Sequence, residues 1–146
     1  MTMAYRDPRD IILSMIDHGK RSREGRDGTK AFSGCVDVAG SIKGVQRMMI
    51  NLTKWESKSW VHTIRYEDLL NKQLETIGQM INFLGWNVDE AEVVSIAQAR
   101  SSKKKESWNF NKGTTERWRD EMFYVEKDTC RESFDPFVRK FGYPLW

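Results

Sequence analysis

Residues 60–66, WVHTIRY, constrain the fold of this chain most, because they are rich in β-branched and aromatic side chains and stand between two stretches of helical period. Between two helical patterns it reads as a buried strand of a parallel sheet, whose strands are joined through crossovers rather than hairpins. The other candidate strand is a stub ending in Met3-Ala4-Tyr5. The sequence therefore predicts an α/β chain, helix-rich, with only about two short parallel strands. The helices are read from their apolar stripes. Ile11, Ile12, Met15 and Ile16 mark a first helix; Ile42, Val45, Met49, Leu52 and Trp55 mark a second, ending near Lys58. Leu70, Leu74, Ile77, Ile81 and Leu84 form one continuous third helix stopped at Gly85. Asp89 opens a fourth with Val93, Val94, Ile96 and Ala97 on its apolar side. The last face is Phe134, Phe137, Val138 and Phe141, restarted at Asp135-Pro136 and closed by Gly142.

The junction YRDPRD, residues 5–10, mixes two chemistries in one short run. Asp7 can cap, Pro8 suits the first helical position, and Asp10 falls where a capping-box carboxylate would reach back. A strand-to-helix turn of this kind offers amides to an anion. Arg6 adds a planar fork that donates paired, charged hydrogen bonds to phosphate oxygens, with the Ser14 hydroxyl as a further donor. The plainer reading pairs Arg6 and Arg9 with Asp7, Asp10 or other carboxylates. Residues 19–34, with four glycines, read as a loop, and residues 101–117, polar and basic, as a second and longer one. Loops of that length in compact domains are commonly functional.

Bulk properties narrow the function classes. The length of 146 residues predicts one domain, and no apolar run approaches the 18 or so residues needed to span a bilayer, so no membrane partner is expected. Lys20, Arg21, Arg23, Arg26 and Lys30 form one basic cluster, and Arg100, Lys103, Lys104 and Lys105 another. These read first as solvated faces; a small nucleic-acid-binding protein is the alternative, although no base-recognition motif accompanies them. Cys35 and Cys130 lack metal-ligand spacing and fit a reducing, cytoplasmic setting, with a single disulfide as the alternative. No metal site is read, and His18 and His62 are read as structural or surface residues.

Three stretches in order carry a resemblance. Arg6-Asp7-Pro8-Arg9-Asp10 with Ser14 resembles the 3′-phosphate-binding motif of the sulfotransferase family, which uses 3′-phosphoadenosine 5′-phosphosulfate as donor. IRYEDLL at 64–70, followed by FLGW, is similar to the family's strand and helix at that point, and FNKGTTERWRDEMF at 110–123 resembles its Arg-Lys-Gly loop with a downstream tryptophan. The resemblance implies a single but incomplete domain over 1–146, with part of a P-loop NTPase-like sulfotransferase fold. It implies that Arg6 and Ser14 bind the 3′-phosphate of the donor or of adenosine 3′,5′-bisphosphate. Tyr66 would sit beside adenine, and Lys112 with the Gly113 amide would close over the same phosphate. Asn111 stands where the family has arginine, and Glu116 where it has a second glycine.

The family's phosphate-loop lysine and its histidine base have no counterpart in residues 1–146, so no catalytic residue is assigned. The acceptor class stays a hydroxyl or an amine. The expectation is a sulfotransferase-family protein that does not catalyse transfer alone: a nucleotide-binding remnant, or one part of a split enzyme whose partner chain brings the missing segment. Apolar surface left uncovered by that segment makes self-association the other outcome.

Overall fold

The computed structural model describes residues 1–26, 30–103 and 113–146. Its elements in chain order are β1 (Thr2–Tyr5), α1 (Pro8–Arg23), α2 (Val38–Glu56), β2 (His62–Arg65), α3 (Tyr66–Asn71), α4 (Gln73–Leu84), α5 (Glu90–Lys103), α6 (Trp118–Glu121) and α7 (Tyr124–Lys140). The helix-rich α/β architecture is as the sequence predicts. Among the described residues, β1 and β2 form one parallel sheet in register from Thr2↔His62 to Tyr5↔Arg65. No helix among them is long and apolar enough to cross a membrane.

The chain forms two compact units. One comprises residues 1–6 and 54–113, and holds the sheet with α3, α4 and α5. Among its described residues the buried apolar side chains are Val61 and Ile64, which makes this unit thin. The other comprises residues 7–53 and 114–146, and packs α1, most of α2, α6 and α7 around Ile12, Val45, Trp118, Phe134 and Val138. Cys130 lies in this core, and both cysteines are free thiols, which removes the disulfide alternative.

Local rules set most helix ends. Asp7 caps α1 by accepting from the Arg9 amide at 3.0 Å. Gly85 ends α4 in the left-handed region at φ 65°, with the Trp86 amide returning to the Ile81 carbonyl. Asp89 accepts from the Ala91 amide at the start of α5, and Gly142 ends α7 at φ 64°.

The structure differs from the sequence reading at several points. The third predicted helix breaks at Lys72, whose carbonyl receives both the amide and the hydroxyl of Thr76 and so starts α4 anew. Instead of restarting at Pro136, α7 runs through it. The proline removes the amide that the Glu132 carbonyl would receive, but burial of Phe134, Phe137 and Val138 and the Asp135–Arg139 pair hold both sides of the gap. On α1, Ile12 and Leu13 are buried, whereas Ile11, Met15 and Ile16 are half-buried. Gly19, assigned to a loop, lies inside α1, where a Cβ would sit 2.4 Å from the Phe32 carbonyl oxygen and 2.5 Å from that of Cys35. Glycine there lets the 30–35 turn lie against the helix, and Arg23 secures it by donating to the Ser33 carbonyl at 2.8 Å.

Candidate functional site

The register of the sheet builds the first part of the site. Since Tyr5 pairs with Arg65 in a parallel ladder, the next residues, Arg6 and Tyr66, leave the carboxyl ends of adjacent strands side by side. The Arg6 guanidinium carbon lies 4.5 Å from the centroid of the Tyr66 ring. This is cation–π distance, and both side chains are half-buried. The carboxyl ends of parallel strands are where ligands of open α/β sheets are held. Two of the residues singled out in the sequence, 60 positions apart, are thus neighbours in one unit.

At the start of α1, amide groups are engaged locally. Pro8 has no amide hydrogen, the Arg9 amide is taken by Asp7, and the Ile11 amide donates to the Asp7 carbonyl at 3.0 Å. Asp7, Pro8, Arg9 and Asp10 are all buried. Arg9 is structural. Its Nε and Nη2 donate to the two Asp7 carboxylate oxygens at 2.8 and 2.7 Å, and Nη2 also donates to the Pro144 carbonyl at 2.8 Å. Its guanidinium carbon lies 3.7 Å from the Trp118 ring centroid and 4.4 Å from that of Trp146. That bears out the ion-pair reading of Arg9.

Asp10 bonds far along the chain. Its two carboxylate oxygens accept from the backbone amides of Glu116 at 2.7 Å and Trp118 at 3.2 Å. One turn-pair further along α1, Asp17 accepts from Arg117 at 2.7 Å, and Arg117 also pairs with Glu121 at 2.8 Å. Burial opposes the charge on Arg117, but the hydrogen bonds it donates to Glu121 and Asp17 outweigh it and raise its pKa above the ordinary guanidinium value. Two carboxylates of α1 therefore fix residues 116–118. The sequence signal for this was an aspartate pair two turns apart on one helix, and its partners lie about a hundred residues away.

Ser14 is half-buried on α1, in the unit that also holds Asp10 and Asp17. Gly113 has φ 62° and Glu116 has φ 58°, both left-handed. Glu116 thus keeps the backbone conformation that glycine favours, and its carboxylate is engaged by Arg119 Nε at 2.6 Å. Asn111 and Lys112 lie outside the described residues. The histidines have structural neighbours: His62 stacks on Phe83 at 5.0 Å, and His18 receives Arg21 at 3.0 Å beside Phe32.

Thiol chemistry is suppressed in the core. Burial pushes the Cys130 pKa up from 9.0 to about 12. The folded state therefore holds a proton that the unfolded state releases near pH 9, so this contribution to stability is constant below that pH and falls as pH rises toward 12. A thiol-reactive chromophore at neutral pH is expected to label Cys35 in the native protein and Cys130 only on unfolding. Rapid labelling of two thiols without denaturant would contradict the buried assignment.

A family model described as the sulfotransferase domain matches residues 1–142. Among solved structures, mouse sulfotransferase SULT7A1 complexed with PAP is similar with a TM-score of 0.74 at 17% sequence identity, over 94% of this chain and 57% of that one. The fold is therefore sulfotransferase-like, and the chain spans a little over half the length of that relative. A comparison with curated protein sequences found no match.

Proposed function

Because this chain belongs to the sulfotransferase family, we propose that it binds 3′-phosphoadenosine 5′-phosphosulfate, or its product adenosine 3′,5′-bisphosphate, through the 3′-phosphate. The observation that carries this reading is the Arg6 guanidinium stacked on Tyr66 at the carboxyl ends of the two strands. A charged fork beside an aromatic ring suits a phosphate attached to a purine nucleoside, so the donor set fits the ligand. Arg6 holds the phosphate and Tyr66 lies beside the base. Ser14, Asn111, Lys112 and Gly113 are the further contacts that the family motif assigns.

When bound, the donor would supply a sulfonate for transfer to a hydroxyl or amine. Transfer needs charge stabilisation of the departing oxygens and removal of the acceptor proton. No residue of 1–146 is assigned to either task; His62 stacks on Phe83, and His18 packs beside Phe32 and accepts from Arg21. In isolation this chain is therefore expected to bind without turnover; transfer would require a further segment, in a longer form or in a partner chain. The nucleic-acid alternative loses one charge of the first basic cluster, because Glu24 pairs with Arg26.

The test is thermal melting with adenosine 3′,5′-bisphosphate. At about 100 times its dissociation constant the ligand should stabilise the chain by roughly 2.7 kcal/mol. Removing a charged contact worth about 1.5–3 kcal/mol, as in Arg6→Ala, should weaken binding about tenfold or more. An Arg6→Ala protein that shifts as far as the parent would show the assigned site to be wrong. Product formation from the sulfate donor and a phenol by the parent chain alone would overturn the absence of turnover.

A further inference from the structure

A cavity of about 360 Å³ lies in the unit that holds the sheet, between α4, the 85–89 turn and the start of α5. That volume is within the range of small-ligand sites. Its lining combines aliphatic side chains, Ile81 and Val93 among them, with Trp86, Asn82 and Asn87. The lining residues include no ionisable side chain. Trp86 is 60% exposed. Its position follows from Gly85, whose left-handed conformation turns the chain back so that the Trp86 amide reaches the Ile81 carbonyl.

Gly78 is the second observation. It stands inside α4, where glycine costs about 0.5–1 kcal/mol relative to alanine. Neither its backbone nor its packing needs glycine: its φ is not left-handed, and a Cβ would meet nothing within 4 Å. It lines this cavity. With no side chain at that position, the cavity keeps the space that a Cβ and its substituents would take.

The geometry points to a neutral saccharide as the occupant. A pyranose ring has an apolar C–H face, which an indole plane accepts, and a rim of vicinal hydroxyls. Each asparagine amide offers two donors and a carbonyl acceptor, a set that can bracket adjacent hydroxyls. No hydrogen bond holds the side chain of Asn82 or Asn87 among the described residues. The absence of charge in the lining disfavours phosphorylated or sulfated ligands, since no cation there would offset their desolvation. This site shares no residue with the nucleotide site and stands whether or not that reading holds.

The experiment titrates the ¹⁵N-labelled full chain with cellobiose, chitobiose and maltose, and separately with adenosine, while following the Trp86 indole N–H and the Asn82 and Asn87 side-chain amides. At least one disaccharide is expected to shift these signals saturably. Trp86→Ala, which removes the platform, and Gly78→Leu, which fills the slot, should both abolish the response while the far-ultraviolet circular dichroism stays that of the parent. Asn82→Ala should weaken binding about three- to tenfold. Three results overturn the assignment: no disaccharide moves the signals, adenosine moves them instead, or the response survives in a folded Gly78→Leu protein.

Discussion

Arg9→Ala is expected to destabilise the chain by about 3–5 kcal/mol, the cost typical of breaking a buried ion pair from one side. Arg9 is 0% exposed and Asp7 2% exposed. The fork that meets both Asp7 oxygens also ties down the Pro144 carbonyl and packs against both Trp118 and Trp146. Truncation removes the charge that Asp7 is buried against and opens a cavity beside the two indoles. For a domain of this size the melting temperature should fall by about 10 °C or more. Arg9→Lys keeps the charge but not the planar fork, so it should lie in between. In the double variant Asp7→Ala/Arg9→Ala the loss should be smaller than the sum of the singles, because the first truncation already ends the interaction. An Arg9→Ala protein melting within a degree or two of the parent would rule out the stacked, paired arrangement.

Asp10→Ala is the second large effect. The buried Asp10 carboxylate receives two backbone amides from across the chain, those of Glu116 and Trp118. Each amide left without an acceptor costs about 1–3 kcal/mol, so about 2–6 kcal/mol is expected in total. Asp10→Asn keeps one acceptor oxygen and turns a donor toward the other amide, which should recover part of the loss. Urea unfolding gives the magnitude, and hydrogen exchange gives the location. The Glu116 and Trp118 amides should exchange faster in Asp10→Asn, while those in the interior of α7 keep their protection relative to global stability. Unchanged exchange at those two amides would mean that Asp10 does not hold them.

These two residues show where reading the sequence stops. Asp7, Pro8, Gly85, Asp89 and Gly142 were legible because a cap or a left-handed turn acts within a few residues of chain. β2 was legible because its composition and its helical neighbours leave few alternatives. Asp10 stands at a position where a local rule would place a capping acid, and yet it serves partners more than a hundred residues away, which no local pattern records. Gly19 was misplaced for a similar reason: its need for glycine comes from two carbonyls of a later turn rather than from its own backbone. The run through Pro136 is decided by tertiary burial of Phe134, Phe137 and Val138, which outweighs the lost hydrogen bond. At the candidate site, Arg6 and Tyr66 were each named from motif, but their adjacency follows from strand register. Asn111 and Lys112 remain expectations from the motif alone.

The pairing of β1 with β2 also sets a timetable for synthesis. Thr2 finds its partner in His62, sixty positions later. At translation rates of about 5–20 residues per second, the first strand leaves the ribosome about 3–12 s before its complement exists. Helix formation takes about a microsecond, so α1 can begin to form while the strand preceding it is still unpaired. During that interval the Thr2–Tyr5 segment can hydrogen-bond with any other extended chain it meets. Its shortness, four residues with Arg6 immediately after, limits that exposure until the ribosome delivers residues 62–65.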